Sequence, residues 1–302
     1  MQRRKFVSWA ISRWQGLAFL DEPLSAHTSW RIGGPCDLMI FPRGLGDLRE
    51  ILQEADQEGE GLFVMGRGTN LLVRDGGIQG TVINLSRGFK EIRLGDAGGE
   101  AGAGVTLSRL ANRTALANLS GLEFATGIPG TVGGSIKGNA GAFGGSMDRV
   151  LEAVWVMDWQ GQEHRFPREA LTFSYRECIL PREGIIVGAD FSLQNEEPIP
   201  VREKMEDFRD QRRKRQPLRA RTAGSVFKNP PGGYAARIIE SFGLKGKTIG
   251  GARVSKTHAN YIENLGSAKA SDVLALIDLI REKAEKELSL KLDLEVQVVG
   301  EG

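Results

Sequence analysis

One segment of the chain combines hydroxyl and amide side chains with an unusual density of glycine. Eight glycines lie within 19 residues, interleaved with Thr126, Thr131, Ser135 and Asn139: Gly127, Gly130, Gly133, Gly134, Gly138, Gly141, Gly144 and Gly145. Because glycine loses more backbone entropy on folding than any other residue, a purely structural explanation of this segment is unfavourable. Binding of an extended anionic ligand along the backbone explains it better.

A second glycine turn, Gly66-Arg67-Gly68-Thr69-Asn70, follows a predicted strand. Its glycines would let backbone N–H groups point into a concavity suited to a phosphate. The turn lacks the GKS/T ending of a Walker loop, and no GxGxxG opens a helix, so P-loop and Rossmann interpretations fail. Taken alone, the turn is better explained as structural.

Together with residues 27–34 (HTSWRIGG), these segments resemble one family closely. The stretches 64–75 (VMGRGTNLLVRD) and 121–145 (GLEFATGIPGTVGGSIKGNAGAFGG) are similar to the FAD-binding segments of the UDP-N-acetylenolpyruvoylglucosamine reductases, the MurB family of peptidoglycan synthesis. Further resemblances follow in the family's order, at 174–176 (SYR), 223–230 (AGSVFKNP), 251–255 and 258–260. One departure is visible, because Ile136-Lys137-Gly138 stands where a more apolar run ending in Met is expected.

The resemblance implies an α+β chain. It predicts a two-subdomain FAD-binding fold of the PCMH or vanillyl-alcohol-oxidase type, followed by a C-terminal α+β substrate-binding domain. We place the FAD-binding subdomains at residues 1–86 and 87–196 and the substrate-binding domain at 197–302, with the terminal strand returning to the active site. The FAD contacts implied are Gly66, Arg67, Gly68, Thr69, Asn70, Leu71, Gly127, Ile128, Pro129, Gly130, Gly133, Gly134, Ser135, Asn139, Ala140 and Gly141.

The activity implied is an NADPH-dependent, FAD-mediated reduction of UDP-N-acetylglucosamine enolpyruvate to UDP-N-acetylmuramate. NADPH would reduce the flavin and leave before the enolpyruvyl substrate enters the same site. Hydride would then reach C3 of the enolpyruvyl group, and negative charge would build on the carboxylate side. The strand near Asp190 runs almost directly into a charged helix, which leaves no room for the tyrosine loop of the longer enzymes. The chain therefore resembles the shorter, type II form.

Three residues are the catalytic candidates. By itself Ser225 would be a turn hydroxyl, but the resemblance makes it the donor that protonates C2, aided by neighbouring cations or a proton relay because free serine is a weak acid. Arg176 could be a surface residue, yet a guanidinium can hold a carboxylate or enolate bidentately. Glu295 lies in a predicted strand, Lys291–Val299, whose alternation sets it opposite the apolar face. That face is either solvent-exposed or aims the acid into a cleft.

Contacts to the UDP-sugar are expected, with less support, from Tyr175, Arg213, Lys228, Asn229, His258 and Asn260. The basic cluster at 209–221 could suggest RNA, but it is interleaved with acidic residues and has no aromatic platform beyond Phe208. A solvated helix whose end supplies cations to a diphosphate is the simpler interpretation. We expect no nucleic-acid partner and no metal.

The composition sets outer limits on function. The 302 residues hold 40 Lys and Arg against 38 Asp and Glu, a net charge of +2 that is too small to indicate a nucleic-acid binder. Two cysteines, Cys36 and Cys178, and three histidines exclude a disulfide scaffold and a thiolate zinc site. The apolar run at 6–11 is interrupted by a serine and has no cleavage site after it, so we expect a packing helix there. We expect a cytoplasmic protein without membrane insertion, and a monomer or weak homo-oligomer.

Periodicity predicts the elements that position these residues. A helix over 47–59 turns Leu48, Ile51, Leu52 and Ala55 inward, and Thr106 caps a second helix. Strands are predicted at 62–65, 81–85 and 185–193, with a hairpin joining 153–157 to 162–166. Further helices are expected at 201–215, at 235–242 and at 271–286, the last with Ser271 as N-cap and Asp272 in its first turn.

Two other functions stay open at this point. Another FAD-dependent oxidase or dehydrogenase of the same fold would lack the segment similar to GSVFKNP, and a flavin-binding protein without catalysis would lack turnover. Yellow colour tests for flavin, and bleaching by NADPH followed by reoxidation with the enolpyruvyl substrate tests the reaction.

Overall fold

The computed structural model describes residues 2–302, with side chains from residue 5 onward. The helices are α1 (Gln2–Arg13), α2 (Leu45–Glu58), α3 (Leu107–Leu116), α4 (Val132–Lys137), α5 (Pro198–Arg215), α6 (Ala235–Ser241) and α7 (Ala270–Leu288). The strands are β1 (Ala18–Pro23), β2 (Pro35–Ile40), β3 (Leu62–Met65), β4 (Leu71–Val73), β5 (Ile78–Asn84), β6 (Ile92–Gly95), β7 (Gly98–Gly102), β8 (Leu119–Ser120), β9 (Gly141–Ala142), β10 (Gly145–Ser146), β11 (Leu151–Asp158), β12 (Glu163–Pro167), β13 (Thr172–Ser174), β14 (Glu177–Ile179), β15 (Gly184–Ser192), β16 (Gln194–Asn195), β17 (Thr248–Ile249), β18 (Ala252–Val254), β19 (Ile262–Asn264) and β20 (Gln297–Val299).

The chain divides into two compact units, and each is described by itself. Unit 1 holds the N-terminal residues up to 20 together with 38–66 and 80–211, and unit 2 holds 21–37, 67–79 and 212–302. The boundaries at 20/21, 37/38 and 79/80 fall within β1, β2 and β5, the boundary at 66/67 follows β3, and the boundary at 211/212 falls within α5. The sheet of order β1-β2-β5-β3 has four strands. The prediction assigned 21–37 and 67–79 to the first flavin subdomain. The three-domain division at 86 and 196 stays a prediction.

Unit 1 contains a five-stranded antiparallel sheet of order β12-β11-β15-β7-β6. Its first hairpin, β11 to β12, confirms the one predicted. The apolar face of α2 is buried as predicted, and Gly59 ends the helix in the left-handed conformation, with φ of 65°. Thr106 caps α3 as predicted, since its Oγ1 accepts a hydrogen bond of 3.4 Å from the Arg109 N–H. In α1 the side chains of Phe6 and Ala10 are buried, as is that of Trp14 directly after the helix, which confirms a packing helix.

Unit 2 contains an antiparallel sheet of order β17-β18-β19 and a separate parallel pair, β4 with β20. Helix α7 buries one apolar face in the core of this unit. Trp30 is fully buried in that core, and its indole N–H donates to the Ile262 carbonyl at 2.7 Å. The segment HTSWRIGG thus anchors this unit through its tryptophan.

Two local predictions are wrong. Lys269, not Ser271, is the N-cap of α7, because the Asp272 carboxylate accepts the Lys269 N–H at 3.1 Å and the helix begins at Ala270. The terminal strand covers only Gln297–Val299 rather than Lys291–Val299. Upstream of β20 the chain bends, since the N–H groups of Glu295 and Val296 both donate to the Val226 carbonyl, at 2.8 and 3.4 Å.

Candidate functional site

In unit 1 the dense glycine segment forms a turn, the short helix α4 and a tight hairpin. Gly127 and Gly130 have φ of 75° and 126°, a conformation that glycine adopts without steric cost. The carbonyls of Ile128 and Gly130 accept bonds from the start of α3, from Ser108 Oγ at 3.4 Å and the Leu107 N–H at 3.1 Å. The turn that contains Pro129 is therefore fixed to the helix behind it.

The glycines of α4 differ in what limits them. A Cβ on Gly133 would lie 3.0 Å from the Ala103 Cβ, so this position is filled by the protein's own packing. A Cβ on Gly134 would meet only Thr131 Oγ1, at 3.7 Å, and Gly134 is exposed. Gly133 was predicted to be a cofactor contact, but its lack of a side chain is explained by its closeness to Ala103 and to the Ile186 carbonyl of β15. Gly134 has the open space that a ligand's close approach requires.

One more feature of unit 1, an unpaired buried hydroxyl, fits a bound dinucleotide. A Cβ on Gly66, at the end of β3, would lie 2.6 Å from Thr131 Oγ1, so the glycine turn starts directly beside the residue before α4. The Thr126 hydroxyl is buried and has no hydrogen-bond partner in the protein. Beyond α4, Ser135 and Ala140 close a backbone bond of 2.8 Å, and a Cβ on Gly141 would meet the Gly145 carbonyl at 2.7 Å. The unpaired buried hydroxyl is a group that a phosphate-bearing cofactor would use, whereas Gly66 and Gly141 are required by the protein's own packing.

The predicted contacts Arg67, Gly68, Thr69, Asn70 and Leu71 lie in unit 2. The Gly68 carbonyl accepts the Ser29 N–H at 3.1 Å, and Gly68 has φ of 57°. Arg67 is exposed. The Asn70 side-chain amide donates to the Glu295 carbonyl at 3.0 Å, and the Asn70 backbone carbonyl accepts the Gln297 N–H at 2.9 Å. This loop is therefore bonded directly to the segment that carries the candidate acid.

Ser225 and Glu295 lie on adjacent backbone segments of unit 2. Phe227 forms a β-bridge with Leu294, and the Lys228 N–H donates to the Asp293 carbonyl at 2.8 Å. Together with the bond from the Glu295 N–H to the Val226 carbonyl, these contacts fix the two segments to each other. Both candidate side chains are half-buried. The structure thus places the two candidate residues on backbone segments that are hydrogen-bonded to each other.

Asn260 and Asn229 have structural bonds that the sequence did not suggest. The buried Asn260 amide exchanges two hydrogen bonds with the Phe227 backbone, at 2.8 and 2.9 Å, and its own carbonyl accepts the Val226 N–H. The oxygen and the nitrogen of the Asn260 side-chain amide therefore both hold the Ser225 segment and are not turned toward a substrate. Asn229 Oδ1 accepts the first N–H of α6, from Ala235, at 3.1 Å. Lys228 is half-buried.

Arg176 lies in unit 1, in the two-residue turn of the β13–β14 hairpin. Its φ is 64°, unusual for a residue with a side chain, and its guanidinium lies 5.1 Å from the ring centroid of the preceding Tyr175. Tyr175 is exposed by 50%. The turn therefore presents both predicted residues at the tip of one hairpin.

Of the remaining predicted contacts, His258 is half-buried in unit 2 and its Nδ1 has no hydrogen-bond partner. Burial lowers the pKa of His258, with a smaller contribution from the charge of Lys245. Arg213 is exposed, whereas its neighbour Arg212 is only 7% exposed and donates to Gln216 Oε1 at 3.3 Å. The sequence interpretation missed Arg212. A signal existed, because Val201, Met205, Phe208 and Arg212 recur at helical spacing along one face of α5.

Some further chemistry is constrained by burial. Both cysteines are buried and unpaired with each other, and burial raises the pKa of Cys36 to about 12 and that of Cys178 to about 11.

Within residues 2–302 no cluster of three or more His, Cys, Asp or Glu side chains is placed to hold a metal ion. In the same part of the chain, every helix is too short or too polar to cross a bilayer.

Comparison with known proteins matches both parts of the chain. Residues 36–166 match the family model of an FAD binding domain, and residues 216–299 match that of the UDP-N-acetylenolpyruvoylglucosamine reductase C-terminal domain. A UDP-N-acetylenolpyruvoylglucosamine reductase of Moorella thermoacetica is 44% identical over 282 residues, 93% of each chain. That of Heliobacterium modesticaldum is 44% identical over 283 residues, which cover 93% of this chain and 90% of the relative.

Solved structures agree at the level of the fold. The crystal structure of the reductase of Thermus caldophilus superposes with a TM-score of 0.81 at 36% identity, over 94% of this chain and 98% of that one. A 4-ethylphenol oxidase of Gulosibacter chungangensis shares the fold alone, with a TM-score of 0.50 at 16% identity over 64% of this chain and 43% of its own. The predicted FAD-binding α+β fold is confirmed. With relatives above 40% identity along nearly its whole length, the chain belongs to the UDP-N-acetylenolpyruvoylglucosamine reductase family.

Proposed function

We propose that the chain reduces the enolpyruvyl ether of UDP-N-acetylglucosamine to UDP-N-acetylmuramate, with NADPH as the electron source and FAD as the cofactor. The observation that carries the proposal is the pairing of the Ser225 and Glu295 segments in unit 2. It gives this family member a hydroxyl and a carboxyl group on two segments fixed to each other. When bound, FAD supplies a two-electron carrier between NADPH and the enolpyruvyl carbon.

The residues assigned to the cofactor are those of the two glycine segments. The backbone around Gly134 and the Thr126 hydroxyl would receive phosphate or ribityl oxygens, as their open space and unpaired donor allow. The turn from Gly66 to Asn70 would contribute N–H groups. Gly133 and Asn139 contact the protein itself, Gly133 beside Ala103 and Asn139 through its bond to the Ser174 carbonyl. We assign them to the support of the cofactor surface.

Side chains of this protein donate the proton and stabilise the developing charge. Ser225 donates a proton to C2 once hydride has reached C3, which completes the saturated lactyl ether. Arg176 stabilises the negative charge that develops on the carboxylate side by bidentate hydrogen bonding, and Glu295 stabilises it as the protonated acid or by sharing a proton. Preorganised groups of this kind lower a barrier by about 3–4 kcal/mol each when their removal is measured. Asn260 acts by holding the backbone on either side of Phe227, and so the position of Ser225.

For the UDP-sugar we assign Tyr175, Lys228, His258 and the end of α5, where Arg212 joins the predicted Arg213. His258 Nδ1 is available for a hydrogen bond, and its lowered pKa keeps the ring neutral at pH 7. Arg212 supplies a buried cation in the same unit. We propose a cytoplasmic enzyme that is a monomer or weak homo-oligomer, which sedimentation velocity tests.

The proposal is tested by two half-reactions on the purified holoprotein. We expect a yellow protein whose flavin absorbance is bleached by NADPH without oxygen and restored by the enolpyruvyl UDP-sugar, with stoichiometric UDP-N-acetylmuramate formed. Bleaching followed by reoxidation only with oxygen would indicate a different flavin oxidoreductase. A colourless protein that binds no FAD would contradict the proposal.

A further inference from the structure

Lys137, the last residue of α4, makes a contact that the residue type expected there could not make. The resemblance to the family predicts an apolar run over residues 136–138, yet this chain has a lysine in its middle. The Lys137 ammonium donates to the Cys178 carbonyl at 3.2 Å, and Cys178 lies on β14. An apolar side chain has no donor for that carbonyl.

Asn139, two residues further on, holds the other strand of the same hairpin. Its amide donates to the Ser174 carbonyl on β13 at 3.1 Å, and its Oδ1 accepts the Asp148 N–H at 3.2 Å, which fixes the orientation of the amide. The two contacts therefore fall on opposite strands. Between them along the chain lie Tyr175 and Arg176, the two residues of the turn.

The hairpin needs such support. It consists of three residue pairs, Thr172 with Ile179, Phe173 with Cys178 and Ser174 with Glu177, and two-stranded hairpins of this kind are marginally stable by themselves. Its turn also keeps Arg176 in the left-handed region, with φ of 64°, which disfavours a residue with a Cβ. A contact that fixes the strands thus also fixes the backbone that carries the Arg176 guanidinium.

We propose that Lys137 is a positioning residue for Arg176, acting through the β13–β14 hairpin. Asn139 supplies the first anchor and the lysine supplies the second, on the opposite strand. The inference rests on the proposed function, because it takes Arg176 to stabilise charge during reduction of the enolpyruvyl group. Lys137 itself touches neither substrate nor reacting atoms in this account.

The test is a double-mutant cycle on the holoenzyme, read by stopped-flow absorbance. Lys137→Met keeps the length of the side chain and removes the donor, and Lys137→Arg keeps donors. We expect Lys137→Met to slow flavin reoxidation by the enolpyruvyl substrate about threefold to tenfold, the effect of one hydrogen bond, with NADPH reduction unchanged. Lys137→Arg should stay within about twofold of wild type. In an Arg176→Gln background, Lys137→Met should have no further effect.

Other outcomes show whether the role of Lys137 or the role of Arg176 is wrong. If Lys137→Met slows reoxidation equally with and without Arg176, or slows both half-reactions alike, the inference is wrong while the role of Arg176 stands. If Arg176→Gln alone leaves reoxidation at the wild-type rate, the assignment of Arg176 fails and the inference with it. Because Lys137 is exposed, we expect an unchanged melting temperature. Lys137→Ala serves the same cycle if the Met variant does not fold.

Discussion

At the scale of single residues, the proposed chemistry depends on how the backbone holds Ser225 and Glu295. Glu295 lies at a bend and not in the middle of a strand, and its N–H and carbonyl are both bonded, to Val226 and to the Asn70 amide. The residue is thereby fixed at both ends while its side chain stays half-buried. The alternation that singled out this acid assumed a strand that is absent upstream of residue 297. Its selection from the sequence therefore rests on the family resemblance.

We predict that Glu295→Gln slows flavin reoxidation about 100-fold to 1,000-fold, which corresponds to about 3–4 kcal/mol, and leaves the Kd of the UDP-sugar within about tenfold. Glutamine keeps the size and hydrogen bonding but loses the titratable proton. Single-turnover stopped flow measures the rate, and titration of the oxidised enzyme measures the Kd.

Asp293→Asn is the matched control, two residues away and exposed, where only the backbone carbonyl has a described partner. We expect it to change the reoxidation rate less than about threefold, as for surface substitutions in general. A dead Asp293→Asn variant beside an active Glu295→Gln variant would mean that the acid is misassigned.

At the scale of elements, the two glycines of α4, Gly133 and Gly134, differ in the space around them. We predict that Gly134→Val gives a folded protein that loses FAD, because the new side chain fills the open space on the exposed face. Gly133→Val should instead lower the melting temperature of the apoprotein, because its Cβ meets Ala103. Flavin absorbance per protein and thermal unfolding of the apoproteins measure the two effects. Stoichiometric flavin in Gly134→Val would remove this helix from the cofactor site.

A second element-scale prediction concerns the start of α7. The Asp75 carboxylate accepts the N–H groups of Ala270 and Ser271, at 2.7 and 3.1 Å. Partial burial raises its pKa, but these bonds and the charge of Lys269 outweigh burial and keep the pKa below the usual value. Because the folded pKa is the lower one, the stabilisation is present above the unfolded pKa and is lost as pH falls through the folded pKa.

We therefore expect Asp75→Ala to lower the free energy of unfolding by about 1 kcal/mol at pH 7. The gap to wild type should shrink as pH falls below about 4. Asp75→Asn keeps an acceptor oxygen, so its free energy of unfolding at pH 7 should fall by less than that of Asp75→Ala. Urea unfolding between pH 3 and pH 7 checks this. A gap for Asp75→Ala that stays constant over that range would contradict the assignment of the charge.

Sequence patterns predicted the elements with strong local signals. The apolar spacing of α2, the cap of α3 and the β11–β12 hairpin are all confirmed, because each depends on contacts close in sequence or on one buried face. The error at residues 291–296 has a non-local cause, because bonds to Val226 bend the chain. At the start of α7 the Asp272 carboxylate selects an earlier cap, and a distant carboxylate, that of Asp75, accepts the N–H groups of Ala270 and Ser271. The pattern of side chains along the sequence does not reveal such distant partners.

At the scale of the whole molecule, distant stretches of sequence build each unit. Unit 2 collects 21–37 and 67–79 with the last 91 residues, which places the glycine turn that ends at Asn70 beside the terminal strand through the β4–β20 pair. Candidate site residues could be named from the sequence only where the family's motifs mark them. Lys137 could not be assigned this way, because its importance depends on a contact with a hairpin 41 residues away. Arg212 has a signal in its helical spacing on α5, but no family motif marks it, and its burial shows only in the structure.

The central claim is that Ser225 serves the second half-reaction as the proton donor. Its most direct test is stopped-flow absorbance of wild type and Ser225→Ala, each reduced by NADPH and then mixed with the enolpyruvyl UDP-sugar. We predict that the alanine variant is reduced by NADPH within about twofold of the wild-type rate and is reoxidised about 100-fold to 10,000-fold more slowly. Equal slowing of both half-reactions, or reoxidation at the wild-type rate, would contradict the account.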